Sequence, residues 1–411
     1  MSGRRIVITG VGAVTSLGMN VKDTWSNLLF GKSGVSKITE FNTDKLPCKI
    51  SSAVKNFTPE NFIPSRELRK MDRFIQFGLV AALEAIEDSG WKPKTEYERD
   101  RTGVMTGSGI GGLGMIERTS IEFHSSERGR VNPYFIPASI INLLSGHISI
   151  FHGFSGPNSA VSTACSTGVH AIGDASRMIR YGDADVMIAG GAEAPITPVG
   201  VAGFAAAKTL SVNFNDRPEE ASRPWDKMHD GFIMGEGAGI VVLEEYEHAV
   251  KRGAKIYAEI YGYGLTGDAF HMTSPNGRGA FRAMENALKD GKVNPEEVNY
   301  INAHGTSTKV GDAIEILAVQ KLFANNDSIK ISSTKSAIGH LLGAAGSVEV
   351  IFTALSIRNQ ISPPTLNLYN PIEEATMNLV ALIAQDTKIT YALSNSFGFG
   401  GTNASLLLRK I

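Results

Sequence analysis

The chain has 411 residues, 42% of them hydrophobic, with 40 Lys and Arg against 41 Asp and Glu and a formal net charge of −1. That balance excludes wholesale disorder, and it gives no support to a general nucleic-acid or membrane-surface binder. Two cysteines, Cys48 and Cys165, exclude a disulfide framework and a thiolate metal cage and fit a reducing, cytoplasmic setting.

The N-terminus runs straight into an apolar strand-like segment, Ile6–Gly10, with no secretory pattern. Arg69–Ser89 follows as a predicted helix: Phe74, Phe77, Gly78, Ala81, Ala82, Ala85 and Ile86 form one stripe, and Ser89-Gly90 stops it. From Val131 to Gly173, 43 residues pass without Asp, Glu, Lys or Arg. Pro133, Pro137, Asn142, His147, His152 and Pro157 break that run, so it reads as buried or as a subunit interface and not as a membrane span.

The chain reads as written twice. Arg5–Gly12 resembles Tyr257–Gly264, Gly103–Gly109 echoes Asn299–Gly305, Ser162–Ser166 is matched by Ser333–Ser336, and Gly235–Leu243 parallels Gly398–Leu408. Each half alternates β-rich runs with amphipathic helices, and Gly279–Lys289 is the predicted counterpart of the first helix. The expected body is α/β, with two sheets back to back around shared helices in α/β/α/β/α layers. The halves span 1–253 and 254–411, meeting near Lys251–Ala254.

Cys165 lies in Ser162-Thr163-Ala164-Cys165-Ser166, with a helical pattern following. A strand-to-helix turn there offers free N–H groups and a helix dipole, which would depress the thiol pKa and prepare a nucleophile. An inert buried cysteine is an equal reading of that segment alone. His304, in Asn302-Ala303-His304-Gly305-Thr306, ends a predicted strand, and His340 follows Lys335 and Gly339. Two histidines and a cysteine could ligate zinc, but there is no H-E-x-x-H pair, and a zinc-held thiolate is a poorer nucleophile. The run Gly398-Phe399-Gly400-Gly401 is no dinucleotide fingerprint, because Leu406–Leu408 after it reads as a strand; its glycines bring backbone donors close to a reacting group.

This ordered set closely resembles the β-ketoacyl-acyl carrier protein synthases, most of all their type II elongating members, from Arg4 to Leu408. The resemblance implies a thiolase-like fold, a homodimer and a decarboxylative Claisen condensation without an obligatory cofactor. It assigns Cys165 as acyl acceptor, the N–H groups of Cys165 and Phe399 as oxyanion hole, and His304 and His340 as hydrogen-bond donors to malonyl thioester. Lys335 and Glu349 support the histidines, as do Thr306 and Thr308. Ile110, Phe135, Phe204 and Phe399 line the acyl pocket, Phe135 from across a dimer, and Phe399 is also a gate. Arg66, Arg69, Lys70 and Lys208 match the surface that receives the acidic acyl carrier protein. Positive charge at a helix start opposes the dipole, so those residues call for another reason. Asn302, Ala303, Glu349, Ser394 and Asn395 match a structural Na+ or K+ site of some relatives.

The loop Thr273–Gly279 departs from the pattern by being short, with consequences expected only for carrier or pantetheine contact. A degradative thiolase needs a second catalytic cysteine, and Cys48 lacks the motif. The initiating synthases carry His and Asn where this chain has two histidines. A chain-length factor lacks the nucleophilic cysteine, and a polyketide ketosynthase is the nearest alternative.

Overall fold

The computed structural model describes residues 3–127 and 129–411; Met1, Ser2 and Arg128 lie outside them. Ten strands build the main sheet: β1 (Ile6–Val14), β2 (Thr102–Gly107), β3 (Asn158–Val161), β4 (Val186–Glu193), β5 (Gly237–Glu245), β6 (Ala258–Gly267), β7 (Val298–Asn302), β8 (Lys330–Ser332), β9 (Tyr391–Gly398) and β10 (Thr402–Arg409). Their order is β3-β2-β4-β5-β1 and then β6-β10-β9-β7-β8. The second half mirrors the first with every label raised by five, and parallel and antiparallel pairings match as well.

The two expected sheets are joined, because Ile6, Val7 and Ile8 of β1 pair with Ile260, Glu259 and Ala258 of β6. The layering is nevertheless the expected one. Helices α1 (Arg73–Ser89) and α2 (Leu143–His152) cover the outer face of the first half. Between the halves lie α3 (Thr167–Tyr181) and, further on in the chain, α6 (Ala345–Asn359), both touching strands of both halves. Helices α4 (Arg278–Gly291) and α5 (Lys309–Leu322) cover the second half. Every residue of α6 from Ala345 to Ile357 is buried, as a helix between two sheets must be.

Glycine spacing explains why the repeat survives. A Cβ on Gly12 would lie 2.0 Å from the Ala81 carbonyl oxygen of α1, and one on Gly264 would lie 2.0 Å from the Ala283 oxygen of α4. Gly10 and Gly262 meet Ala85 and Ala287 in the same way, each at 2.1 Å. Both halves therefore press a helix backbone onto the same two strand positions, where only glycine fits.

Two sequence expectations shift. Helix α1 begins at Arg73 and not at Arg69, because the Asp72 carboxylate accepts the Phe74 N–H and caps the helix. Arg66 is the second residue of a preceding one-turn helix, Ser65–Leu68, and Arg69 caps its end, so neither stands at the start of α1 and the argument from an opposed dipole falls away. The structural partner of the Cys165 turn also lies further along than Ser333–Ser336. Ala164, at φ +51°, opens a 3-10 turn that leads into α3, and Leu342, at φ +48°, opens the equivalent turn into α6.

Candidate active site

The Cys165 turn is held from both halves. Thr163 N–H donates to Thr167 Oγ1 at 2.8 Å, and that hydroxyl donates to the Ala164 carbonyl at 2.7 Å. From the second half, Thr402 Oγ1 donates to the Thr163 carbonyl at 2.9 Å, and Ser166 Oγ donates to the Thr402 carbonyl at 2.7 Å. His170 Nδ1 lies 2.7 Å from Thr163 Oγ1, and the same imidazole bonds the Asn403 backbone. These clamps hold Ala164 in a left-handed conformation that an alanine rarely adopts, as expected for a sharp turn presenting a reactive side chain.

Cys165 is buried, and the Phe399 N–H points at its sulfur. The expected fall in its pKa does not occur: burial pushes the thiol up to about 12, against the pull of Lys335 and the Phe399 N–H. Desolvation of the thiolate outweighs the backbone donors here, so the resting cysteine is a thiol.

The imidazoles of His304 and His340 stand nearly perpendicular, with ring centres 5.3 Å apart. Burial first, then the charge of Lys335, drives both well below the ordinary imidazole range, and both are neutral at physiological pH. His340 Nδ1 accepts the Leu342 N–H at 3.3 Å, which leaves its proton on Nε2. Lys335 and Glu349 form a fully buried ion pair behind them. Burial raises Glu349 to about 7 despite that lysine.

A cavity of about 410 Å³ brings together Cys165, His304, His340, Thr306, Thr308 and Phe399. Phe204 lines it too, with its ring 6.5 Å from that of Phe399, and exposed Lys208 stands at its rim. The loop Thr273–Gly279, remote in sequence, is part of this site: Thr273, Ser274 and Pro275 line the cavity, and Gly400 N–H donates to the Met272 carbonyl at 2.7 Å. Ile110 borders a separate shallow recess open to the surface, lined by Ile140, Ile141, Ala160 and Val161. Phe135, half-buried in the short helix Phe135–Ser139, is not among the residues lining either one. Arg66 and Lys70 flank Glu67, at 3.4 and 2.9 Å, and Arg69 is exposed beside them.

Asn302 and Ser394 are register partners on β7 and β9, and the Asn302 amide N–H₂ lies 3.4 Å from the Glu349 carbonyl. Asn302 Oδ1, Ser394 Oγ and Glu349 Oε2 are buried without hydrogen-bond partners. Ala303 and Asn395 are buried alongside, although Asn395 Oδ1 accepts from Ser405 at 2.7 Å. Among the described residues, no group of three His, Cys, Asp or Glu could hold a metal ion.

Sequence reasoning missed several carboxylates. Glu315 of α5 accepts the N–H groups of His304 and Gly305 at 2.8 and 2.6 Å, and burial raises it to about 7. Asp312, one turn earlier, accepts the Ser307 and Trp225 N–H groups. Glu193 ends β4 without any exposure. The available signal was acid inside apolar runs, Ile314-Glu315-Ile316 and Val186–Ala192 before Glu193.

A duplicated α/β body with a cysteine on a strained strand-to-helix turn and two neutral histidines across one cavity defines an acyl-transferring condensing enzyme of thiolase-like fold. The chain belongs to the β-ketoacyl synthase family: the model of that family's N-terminal domain matches residues 3–249 and that of its C-terminal domain residues 257–369. It is 54% identical to a 3-oxoacyl-[acyl-carrier-protein] synthase 2 of Rhizobium meliloti, covering 99% of both chains, and 50% identical to one of Vibrio cholerae, covering 100% of both. Among solved structures it resembles a β-ketoacyl synthase of Burkholderia phymatum, with TM-score 0.92, 33% identity and 99% and 100% of the two chains covered. It also resembles a type II PKS ketosynthase solved in complex with its acyl-carrier protein and bound to the hexaketide, with TM-score 0.91, 32% identity and full coverage of both.

Proposed function

We propose that the protein is an elongating 3-oxoacyl-[acyl-carrier-protein] synthase that extends an acyl chain by two carbons from malonyl-carrier thioester. The observation that carries this is Cys165, with the Phe399 N–H at its sulfur, sharing one cavity with two neutral histidines. Cys165 attacks the acyl thioester, and the carrier thiol leaves with the cysteine's proton. The N–H groups of Cys165 and Phe399 stabilise the tetrahedral oxyanion. Malonyl thioester then fills the cavity, and its carbonyl oxygen accepts hydrogen bonds from His304 and His340. Loss of CO₂ leaves its electron pair on the α-carbon as an enolate held by those donors. That carbon attacks the acyl-cysteine, and the released thiolate takes up a proton, as its high pKa favours. No side chain has to remove a proton from carbon. Burial and Lys335 keep the histidines neutral, Glu349 holds the lysine in place, and Thr306 and Thr308, 2.8 Å apart, offer hydroxyls to the carrier's pantetheine arm.

Two features support a homodimer. β3 is an edge strand of the sheet, and the charge-free run around it exposes Ile136, Ile140, Ile150 and Phe151. Across that dimer Phe135 would reach the partner's acyl pocket, and Ile110 would border the same tunnel. Arg66, Arg69, Lys70 and Lys208 would receive an acidic carrier protein. The chain would work in the cytoplasm; no helix among the described residues is long and apolar enough to cross a membrane. The orphaned oxygens of Asn302, Ser394 and Glu349 fit a monovalent cation, Na+ or K+, completed by Ala303 and Asn395, whose role would be to neutralise a buried polar cluster. A polyketide reading rests on relatives at 32% identity, against 54% and 50% for the synthases 2 above, and Cys165 disfavours a chain-length factor. Purified enzyme given acyl- and malonyl-carrier proteins should show an acyl adduct on Cys165 and a 3-oxoacyl product by mass. Neither appearing would refute the reading.

A further inference from the structure

Glu193 carries no counter-charge, since no ion pair involves it among the described residues, yet its carboxylate is fully buried. Five donors converge on it instead. Oε1 accepts from Ser108 Oγ at 2.6 Å, Ile110 N–H at 3.1 Å and, at the limit, Gly111 N–H at 3.4 Å. Oε2 accepts from Gly109 N–H at 2.7 Å and Gly343 N–H at 2.9 Å.

These donors come from two segments far apart in sequence. One is the loop Ser108–Gly111, whose Ile110 borders the shallow recess. That recess opens to the surface and is lined mainly by aliphatic side chains, and its Val161 ends the strand four residues before Cys165; on the condensing-enzyme reading it is the apolar surface toward which an alkyl chain on the sulfur would extend. The other segment is the turn Leu342–Ala344, whose Leu342 N–H fixes the tautomer of His340. Gly109 and Gly343 touch with no room between them: a Cβ on Gly343 would lie 2.2 Å from Gly109 N.

We propose that Glu193 is a positioning residue that ties the wall of the apolar recess to the turn behind His340, so that both halves of the reaction share one geometry. This rests on the condensing-enzyme reading and adds to it a determinant of chain-length preference. The chemistry of the carboxylate makes the coupling testable. Glu193→Gln keeps one acceptor oxygen and turns the other into an N–H₂ donor. Facing the Oε2 side, that donor would meet two N–H groups, Gly109 and Gly343, neither able to accept. Facing the Oε1 side, it meets the Ser108 hydroxyl, which can rotate to accept, and the Ile110 and more distant Gly111 N–H groups, which cannot. The second arrangement costs less, so the substitution releases Ile110 while keeping the turn behind His340.

The experiment compares wild type, Glu193→Gln and Ser108→Ala as full-length enzymes. It measures condensation kcat/KM with acyl-carrier proteins of short and long chain, and malonyl decarboxylation in a Cys165→Gln background. The long-to-short ratio of kcat/KM should fall about tenfold in Glu193→Gln, the scale of one lost charge-assisted hydrogen bond, with decarboxylation within about threefold. Ser108→Ala should move the ratio the same way by less, and it decides the matter if thermal denaturation shows Glu193→Gln unfolded. An unchanged ratio in whichever variant folds, or an equal loss at every chain length and in decarboxylation, overturns the proposal. A wild type that does not condense overturns the functional reading instead.

Discussion

Replacing Lys335 by Met tests what the buried ion pair does, because the two side chains are 1% and 0% exposed and water cannot take the lysine's place. Glu349 has an ordinary value of 4.5 and stands at about 7 in the folded chain. A carboxyl raised in this way contributes stability that is fully present below its unfolded pKa. That stability is lost as pH rises to the folded pKa, by about 1.4 kcal/mol per pH unit. In wild type the loss stops near pH 7, where the carboxylate ionises beside Lys335. In Lys335→Met, unfolded in buffer free of Na+ and K+ so that no cation stands at Glu349, nothing favours ionisation, and the loss continues upward. The difference between the proteins should therefore be small at pH 6.5 and grow by about 1.4 kcal/mol per unit above 7. It should approach the ~3–5 kcal/mol of a broken buried pair only near pH 9–10. Urea unfolding at fixed protein concentration, at four pH values from 6.5 to 9.5, reads this directly. Lys335→Met/Glu349→Gln should remove most of the slope, leaving the smaller share of Glu315, which Lys335 also holds down. Lys335 also helps to hold His304 and His340 neutral, so the acid limb of malonyl decarboxylation should move toward 6.5 in the single variant. A pH-independent difference, or a slope undiminished in the double variant, would refute the assignment of the charge to Glu349.

Cys165→Ala should abolish condensation by at least about a thousandfold, whereas Cys165→Gln should keep malonyl decarboxylation; mass analysis of products separates the two. Because burial holds the Cys165 thiol at about 12, its alkylation by iodoacetamide should rise about tenfold per pH unit from 7 to 10. A plateau near pH 8 would mean that the helix dipole dominates after all. Gly264→Ala, whose Cβ would meet the Ala283 oxygen at 2.0 Å, should cost about 3 kcal/mol or more. Gly267→Ala on the same strand, with nothing within 4 Å, should cost less than about 1 kcal/mol in the same unfolding assay.

What was legible in the sequence follows from how local the cause is. The Gly10-x-Gly12 and Gly262-x-Gly264 spacings record a backbone contact made afresh in each half, so the repeat and its layering could be read directly. Cys165, His304 and His340 stand in short stretches whose residue types could be read locally, although Thr402 and Glu315 from elsewhere in the chain hold the first two in place. The Cys165 pKa was not legible, because its direction depends on how completely two remote halves close over the sulfur. For Glu193 and Glu315 the surrounding apolar runs signal burial, but the N–H groups that each acid binds belong to other segments and could not be read from them. The loop at 273–279 is remote in sequence from Cys165, His304 and His340, yet it reaches the cavity because Gly400 and Met272 pair across the mouth.

The two halves also explain how one fold acquired two different chemical tools. After β3 only Ser162 and Thr163 precede the strained Ala164 and its turn, so the next residue, Cys165, stands at the start of α3. After β8 the chain runs through residues 333–341 before the equivalent strained Leu342, and the residue matching Cys165 is Gly343. That longer segment supplies Lys335 and His340, for which the first half has no counterpart. The site is therefore asymmetric by the length of one connection. A glycine at the nucleophile's twin position is needed there because Gly109 lies against it and its N–H serves Glu193.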